Sequence, residues 1–107
     1  MSRGRIAWPE GKRCALMVSV NLDAEFYGRI FYPDMDVDEG DVLRLGKSGM
    51  AYGLPRLLDA LEHYQVKATF FVPGEVAARY ADKVKEIGAK GHEIGCHGDR
   101  HEVLGRL

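Results

Sequence analysis

The chain has 107 residues, 46% of them hydrophobic and 29% charged, with a formal net charge of −1. That length builds one domain with a modest core, and the composition is that of a folded globular chain rather than a disordered one. Near-neutral charge without a basic block excludes electrostatic attraction to nucleic acid or to an anionic membrane surface, and no apolar run approaches the ~20 residues of a membrane span.

The first residues carry Arg3 and Arg5, but the apolar stretch Ile6–Trp8 is too short for a signal-peptide core, so a cytoplasmic location is expected. Trp8 is expected to pack against the first strand or the base of the fold. Residues 14–22 (CALMVSVNL) form an almost unbroken apolar run, which predicts a strand covered on both faces as in a parallel sheet. Residues 26–50 read as a long irregular connection, with Gly28, Pro33, Gly40, Gly46 and Gly49 as breakers. Connections of that length inside a domain are usually functional.

A helix is predicted next. Pro55 suits its first turn, and Leu54, Leu57, Leu58 and Leu61 recur on one face. Residues 66–72 (VKATFFV) predict a second strand, ended by Pro73 and Gly74. A second helix follows with Val76, Tyr80, Val84 and Ile87 on one side and Gly88 as its stop. Residues 92–96 (HEIGC) predict a third strand running into His97 and His101. Cys14 and Cys96 form no CxxC pattern; each falls in an expected strand and reads as a small buried residue.

Strands alternating with helices imply parallel strands joined by crossovers, with ligand sites beyond the C-terminal ends of the strands. Two polar clusters fall at such ends: Asn21, Asp23 and Glu25 after the first strand, and His97 to His101 after the third. His97 and His101 stand four residues apart, so a helical turn would put both imidazoles on one side. One carboxylate and two imidazoles suit Zn²⁺, and also Co²⁺, Ni²⁺ or Fe²⁺. Three protein ligands leave positions open, where a metal would polarise a carbonyl and lower the pKa of a bound water to about 7.

Four segments occur in order: NLDAE at 21–25, YGLPRLLDAL at 52–61, KATFFVPG at 67–74 and GHEIGCHGDRHE at 91–102. Together they resemble the N-terminal portion of the polysaccharide deacetylase (NodB-homology) superfamily. The nearest subgroup has a DxDAE-type first motif and includes cytoplasmic peptidoglycan-deacetylase-like proteins and cyclic imide or allantoinase-like amidohydrolases. The resemblance implies that residues 1–107 are the N-terminal βαβαβ part of an α/β fold, a distorted (β/α) barrel that this chain leaves incomplete. It implies Asp23, His97 and His101 as ligands of a divalent metal, zinc first among the candidates. It also implies hydrolysis of a non-peptide carbon–nitrogen bond, with an acetylated sugar or other small amide as substrate.

Two departures from the family pattern stand out. The family's catalytic base is an Asp where this chain has Asn21, and an amide accepts no proton at neutral pH although it can orient water. Glu25, two residues beyond Asp23, is the substitute base or a group that fixes the loop. The family's later motifs, with their arginine, acid-supplying histidine and remaining strands, are absent from residues 1–107. Three readings follow: an N-deacetylase, a cyclic amidohydrolase, or a metal-binding piece without catalysis. Apolar strands with few covering helices predict association into a homo-oligomer.

Other polar groups carry no such weight. Asp34, Asp36 and Asp38 imitate the first ligands of a calcium loop, but Glu39 stands where glycine is required and Leu45 where the closing Glu belongs, leaving a solvated acidic loop. Asp99 reads as exposed, with a contact to one of the histidines as the alternative. His63 reads as an exposed helix-end residue and His92 as the first residue of a strand.

Overall fold

The structure, a computed structural model, describes residues 4–26, 39–102 and 104–106. Three strands, β1 (Ser19–Asn21), β2 (Thr69–Val72) and β3 (Glu93–Cys96), form a parallel sheet in the order β1-β2-β3. Asn21 lies beside Phe71 and Phe71 beside Gly95, so the strand ends are level. The segments leaving β1 and β3 therefore emerge at one edge of the sheet. Each ladder runs one residue further: Leu22 N–H donates to Phe71 O at 2.9 Å, and His97 N–H to Val72 O at 3.2 Å.

The helices are α1 (Glu39–Ser48), α2 (Leu54–His63), α3 (Gly74–Arg79) and α4 (Ala81–Ala89), with one π-helical turn at Gly49–Gly53 joining α1 to α2. β2 is the central strand, and its alternation buries Phe70 and Val72 while Thr69 and Phe71 stay half-buried. Around them Leu54, Leu58 and Leu61 of α2, Val76 of α3 and Ile87 of α4, together with Leu22, Phe26, Met50 and Ala68, form the core. The leucine face of α2 and the early Pro55 are as the periodicity predicts. This small parallel α/β architecture is consistent with the partial barrel that the resemblance implies.

Several expectations are corrected. The first strand is shorter than 14–22: only Val18, Val20 and Leu22 face the core, while Leu16 and Met17 are 88% and 89% exposed. The cause is the short partner strand, which offers a ladder only from Thr69 onward. Cys14 and Cys96 are both exposed rather than buried. Trp8 is 41% exposed, so it is not packed away against a strand or a base.

The connection expected to be irregular contains α1 instead, with Gly40 and Gly46 inside it. Gly46 is a point of close approach rather than a breaker, because a Cβ there would sit 2.7 Å from the backbone of Ala24 and Glu25. Gly28, Pro33 and the Asp34–Asp38 run lie outside the described residues. Glu39 opens α1, and Asp41 pairs with Arg44 at 2.6 Å on its exposed surface.

The second predicted helix is broken at Tyr80 (φ −120°, ψ 41°) into α3 and α4. Its stop is also later than Gly88. Helix α4 runs to Ala89, and Gly91 takes the left-handed conformation (φ 87°) that reverses the chain into β3.

Candidate metal centre

Asp23 is placed by the end of β1. One residue past the ladder the chain closes a 3₁₀ turn at Ala24–Phe26, and Phe26 N–H donates back to Asp23 O at 2.9 Å. Ala24 adopts φ 48°, a left-handed conformation that turns the chain sharply.

The histidines are placed by a loop, and no helical turn forms between them. Gly98 (φ 68°) and His101 (φ 60°) both take left-handed backbone. Histidine tolerates that region better than most residues. The loop is fastened from within, since the Glu102 carboxylate accepts from Asp99 N–H at 3.2 Å and Arg100 N–H at 2.6 Å. It is fastened from without by α3, whose Gly74 and Glu75 N–H groups donate to Gly98 O and Asp99 O at 2.9 Å each.

The two segments meet. His97 Nε2 lies 3.2 Å from Asp23 Oδ1, and His101 Nε2 lies 3.5 Å from Asp23 Oδ2. The imidazole centroids are 5.0 Å apart, and one ligand atom from each of the three residues falls within 4.8 Å of the others. Asp23 Oδ1 and His97 Nε2 are both buried and neither has a hydrogen-bond partner, although they face each other. Two lone-pair-bearing atoms left without a hydrogen-bond partner at that distance suit a shared cation. Tetrahedral ligands held at about 2.0–2.1 Å from zinc lie about 3.3 Å from one another, and the two aspartate–histidine separations, 3.2 and 3.5 Å, are close to that. The donor chemistry and the spacing thus fit a divalent metal.

The other candidates fall elsewhere. Asn21 is exposed at the end of β1 and lines, with Asp23, a groove of about 290 Å³ whose far wall is Leu45, Gly46 and Met50. Glu25 is not in the Asp23–histidine grouping. It is buried, and its Oε1 accepts a hydrogen bond from the Tyr80 hydroxyl. Burial, and then that bond to Glu25, push the Tyr80 phenol up to about 12. Asp99 is exposed and its carboxylate lies against Gly74 rather than against a histidine, as its exposed reading expects. His63 is exposed at the end of α2, and His92 is buried at the entrance to β3, where Nδ1 accepts from Ala68 N–H at 3.1 Å.

Tyr80, Gly98 and Glu102 are missed by sequence reasoning. Tyr80 counts there only as part of an apolar helix face. The available signal was its hydroxyl, since a tyrosine in such a face needs a polar partner, and Glu25 needed one too.

Comparison with known proteins follows the same lines. The family model described as polysaccharide deacetylase matches residues 41–107. A peptidoglycan deacetylase of Helicobacter pylori is 37% identical over 65 residues, covering 61% of this chain and 22% of that protein. A peptidoglycan-N-acetylglucosamine deacetylase of Bacillus cereus is 43% identical over 53 residues, covering 50% of this chain and 19% of that protein. The chain therefore spans about a fifth of the length of the curated relatives it matches. A crystal structure assigned as a polysaccharide deacetylase from Mycobacterium smegmatis superposes with a TM-score of 0.78 at 33% identity, over 100% of this chain and 37% of that one. With more than half of its residues matched by the family model, this chain belongs to the polysaccharide deacetylase family.

Proposed function

We propose that this chain forms the metal-holding, N-terminal part of an N-deacetylase that hydrolyses the acetamide of an acetylated sugar within a glycan. The observation that carries the reading is the convergence of Asp23, His97 and His101 from segments that are distant in sequence. The curated names of the relatives, which concern peptidoglycan, support a glycan amide over a cyclic imide as substrate. Zinc is the proposed ion, with Co²⁺, Ni²⁺ or Fe²⁺ able to take the same donors. A bound divalent ion would supply Lewis acidity, polarising the amide carbonyl and acidifying water.

The chain's own residues then have separate tasks. Asp23 and the two imidazoles fix the ion, and the half-buried aspartate contributes the negative charge. Asn21, on the same groove as Asp23, orients water or the amide but takes no proton. Glu25 is enclosed with its carboxylate engaged by Tyr80, so it serves the loop rather than the reaction. By itself the 107-residue chain is expected to bind metal without releasing acetate.

Calorimetric titration with Zn²⁺ tests the ion. The parent chain should bind about one equivalent, and His97→Ala or His101→Ala should weaken binding by at least about 10-fold, since even lesser losses around such ions reach that size. Equal uptake by the double variant refutes the site. For the substrate class, the zinc-loaded chain should bind N-acetylglucosamine oligomers more tightly than their deacetylated forms. Indifference between the two refutes a glycan acetamide.

A further inference from the structure

The two halves of the candidate centre have no covalent connection near the site: Asp23 follows β1 and the histidines follow β3. Helix α3 touches both. At its N-terminal end, Gly74 and Glu75 hold the Gly98–Asp99 backbone, and Glu75 Oε1 pairs with the Arg100 guanidinium at 3.0 Å. At its C-terminal end, the Arg79 guanidinium lies 5.2 Å from the centroid of the Phe26 ring, and the Tyr80 hydroxyl donates to Glu25. Glu25 and Phe26 belong to the 3₁₀ turn that carries Asp23. Tyr80 is available because α3 breaks there, with Tyr80 serving at once as the end of α3 and the start of α4. On its other side the same turn is pressed by α1, at Gly46.

We infer that α3 and Tyr80 form a bracket that sets the separation between Asp23 and the two histidines, and that Tyr80, acting through Glu25, is a positioning residue for the ion they hold. The inference rests on the metal reading above. Its physical basis is stiffness. Glu25 stands two residues from Asp23 inside a single tight turn, so fixing the glutamate fixes the direction of the aspartate. Without the phenol, one oxygen of a buried carboxylate loses its donor, and the carboxylate is driven to turn toward water. A turn that rotates by even a fraction of an ångström matters, because metal–ligand distances are tolerated only within about 0.2 Å.

Tyr80→Phe removes one oxygen from a half-buried side chain and tests the bracket directly. Titration with Co²⁺ should show affinity reduced by about 10-fold or more, and the visible absorption of the Co²⁺ form should change as the coordination sphere distorts. Glu25→Gln keeps an acceptor for the phenol and should stay near the parent, whereas Glu25→Ala should resemble Tyr80→Phe. In the metal-free chain, the imidazole ¹⁵N shifts of His97 and His101 should move in Tyr80→Phe. Unchanged Co²⁺ affinity and spectrum in Tyr80→Phe, with only a lowered urea midpoint, would overturn the inference. If the parent itself takes up no Co²⁺, the metal reading fails, and the imidazole shifts still decide the bracket: unaltered shifts in Tyr80→Phe refute it.

Discussion

His92 shows how a histidine can be buried for reasons unrelated to a metal. Its ring packs against Phe70, with centroids 5.4 Å apart, and its Nδ1 accepts from the Ala68 backbone, so the neutral form carries its proton on Nε2. Burial first, and then the nearby Lys67 and Lys90 ammonium groups, hold its pKa below the ordinary 6.5. As pH falls through that value the unfolded chain takes up a proton that the folded chain resists. His92 therefore leaves stability intact above 6.5 and erodes it below. The urea midpoint of metal-free protein should drop between about pH 7.5 and about pH 5.5, and less steeply in His92→Gln, whose amide oxygen can still accept from Ala68. An identical pH profile in the variant counts against this assignment. In sequence His92 differs from the candidate ligand histidines His97 and His101 only by standing before β3 rather than after it. Its hydrogen bond to a residue of the neighbouring strand's approach is a tertiary fact.

Among elements, α1 and α4 make a controlled pair for the two meanings of glycine. Alanine normally favours a helix over glycine by up to about 1 kcal/mol. At Gly88 of α4 a Cβ would meet only Ile94 Cδ1 at 3.6 Å, an ordinary contact, so Gly88→Ala should raise stability by about 0.5–1 kcal/mol. At Gly46 of α1 the new Cβ would lie 2.7 Å from backbone atoms of the Asp23-bearing turn, which cannot rotate aside as a side chain can. Gly46→Ala should therefore cost about 1–3 kcal/mol despite the better propensity. Chemical denaturation of both variants checks the opposite signs, and a stabilised Gly46→Ala would mean that α1 does not press on that turn. The sequence shows both glycines alike. Treated as a breaker, Gly46 hides a helix whose surrounding residues are otherwise compatible with one.

At the scale of the whole molecule, Phe70 and Val72 are covered within the chain and Val20 is half-buried, so the central strand needs no partner. What remains open is the outer edge of β1 and the segment leading into it, where Leu16 and Met17 project into solvent. The outer edge of β3 is likewise unpaired among the described residues. Open edges flanked by exposed apolar groups favour association. Light scattering at tens of micromolar should therefore give a mass above the monomer, and Leu16→Lys with Met17→Glu should return it to the monomer. A monomeric parent chain defeats this proposal.

Local patterns in the sequence determine most of the frame. The leucine spacing and Pro55 specify α2, the strand formers of 66–72 closed by Pro73 and Gly74 specify β2, and strand–helix alternation specifies a parallel sheet with its polar clusters at one edge. These features are legible because each depends on neighbours within a turn or a strand. The pairing of Asp23 with His97 and His101 was expected from that topology and from the family resemblance, but the route was not. The histidines meet through left-handed backbone at Gly98 and His101, not through a helical turn. The break at Tyr80, the burial of Glu25 and the close approach of Gly46 were decided only by tertiary structure. Each depends on a contact between residues far apart in the chain, and such contacts leave no period and no spacing to read.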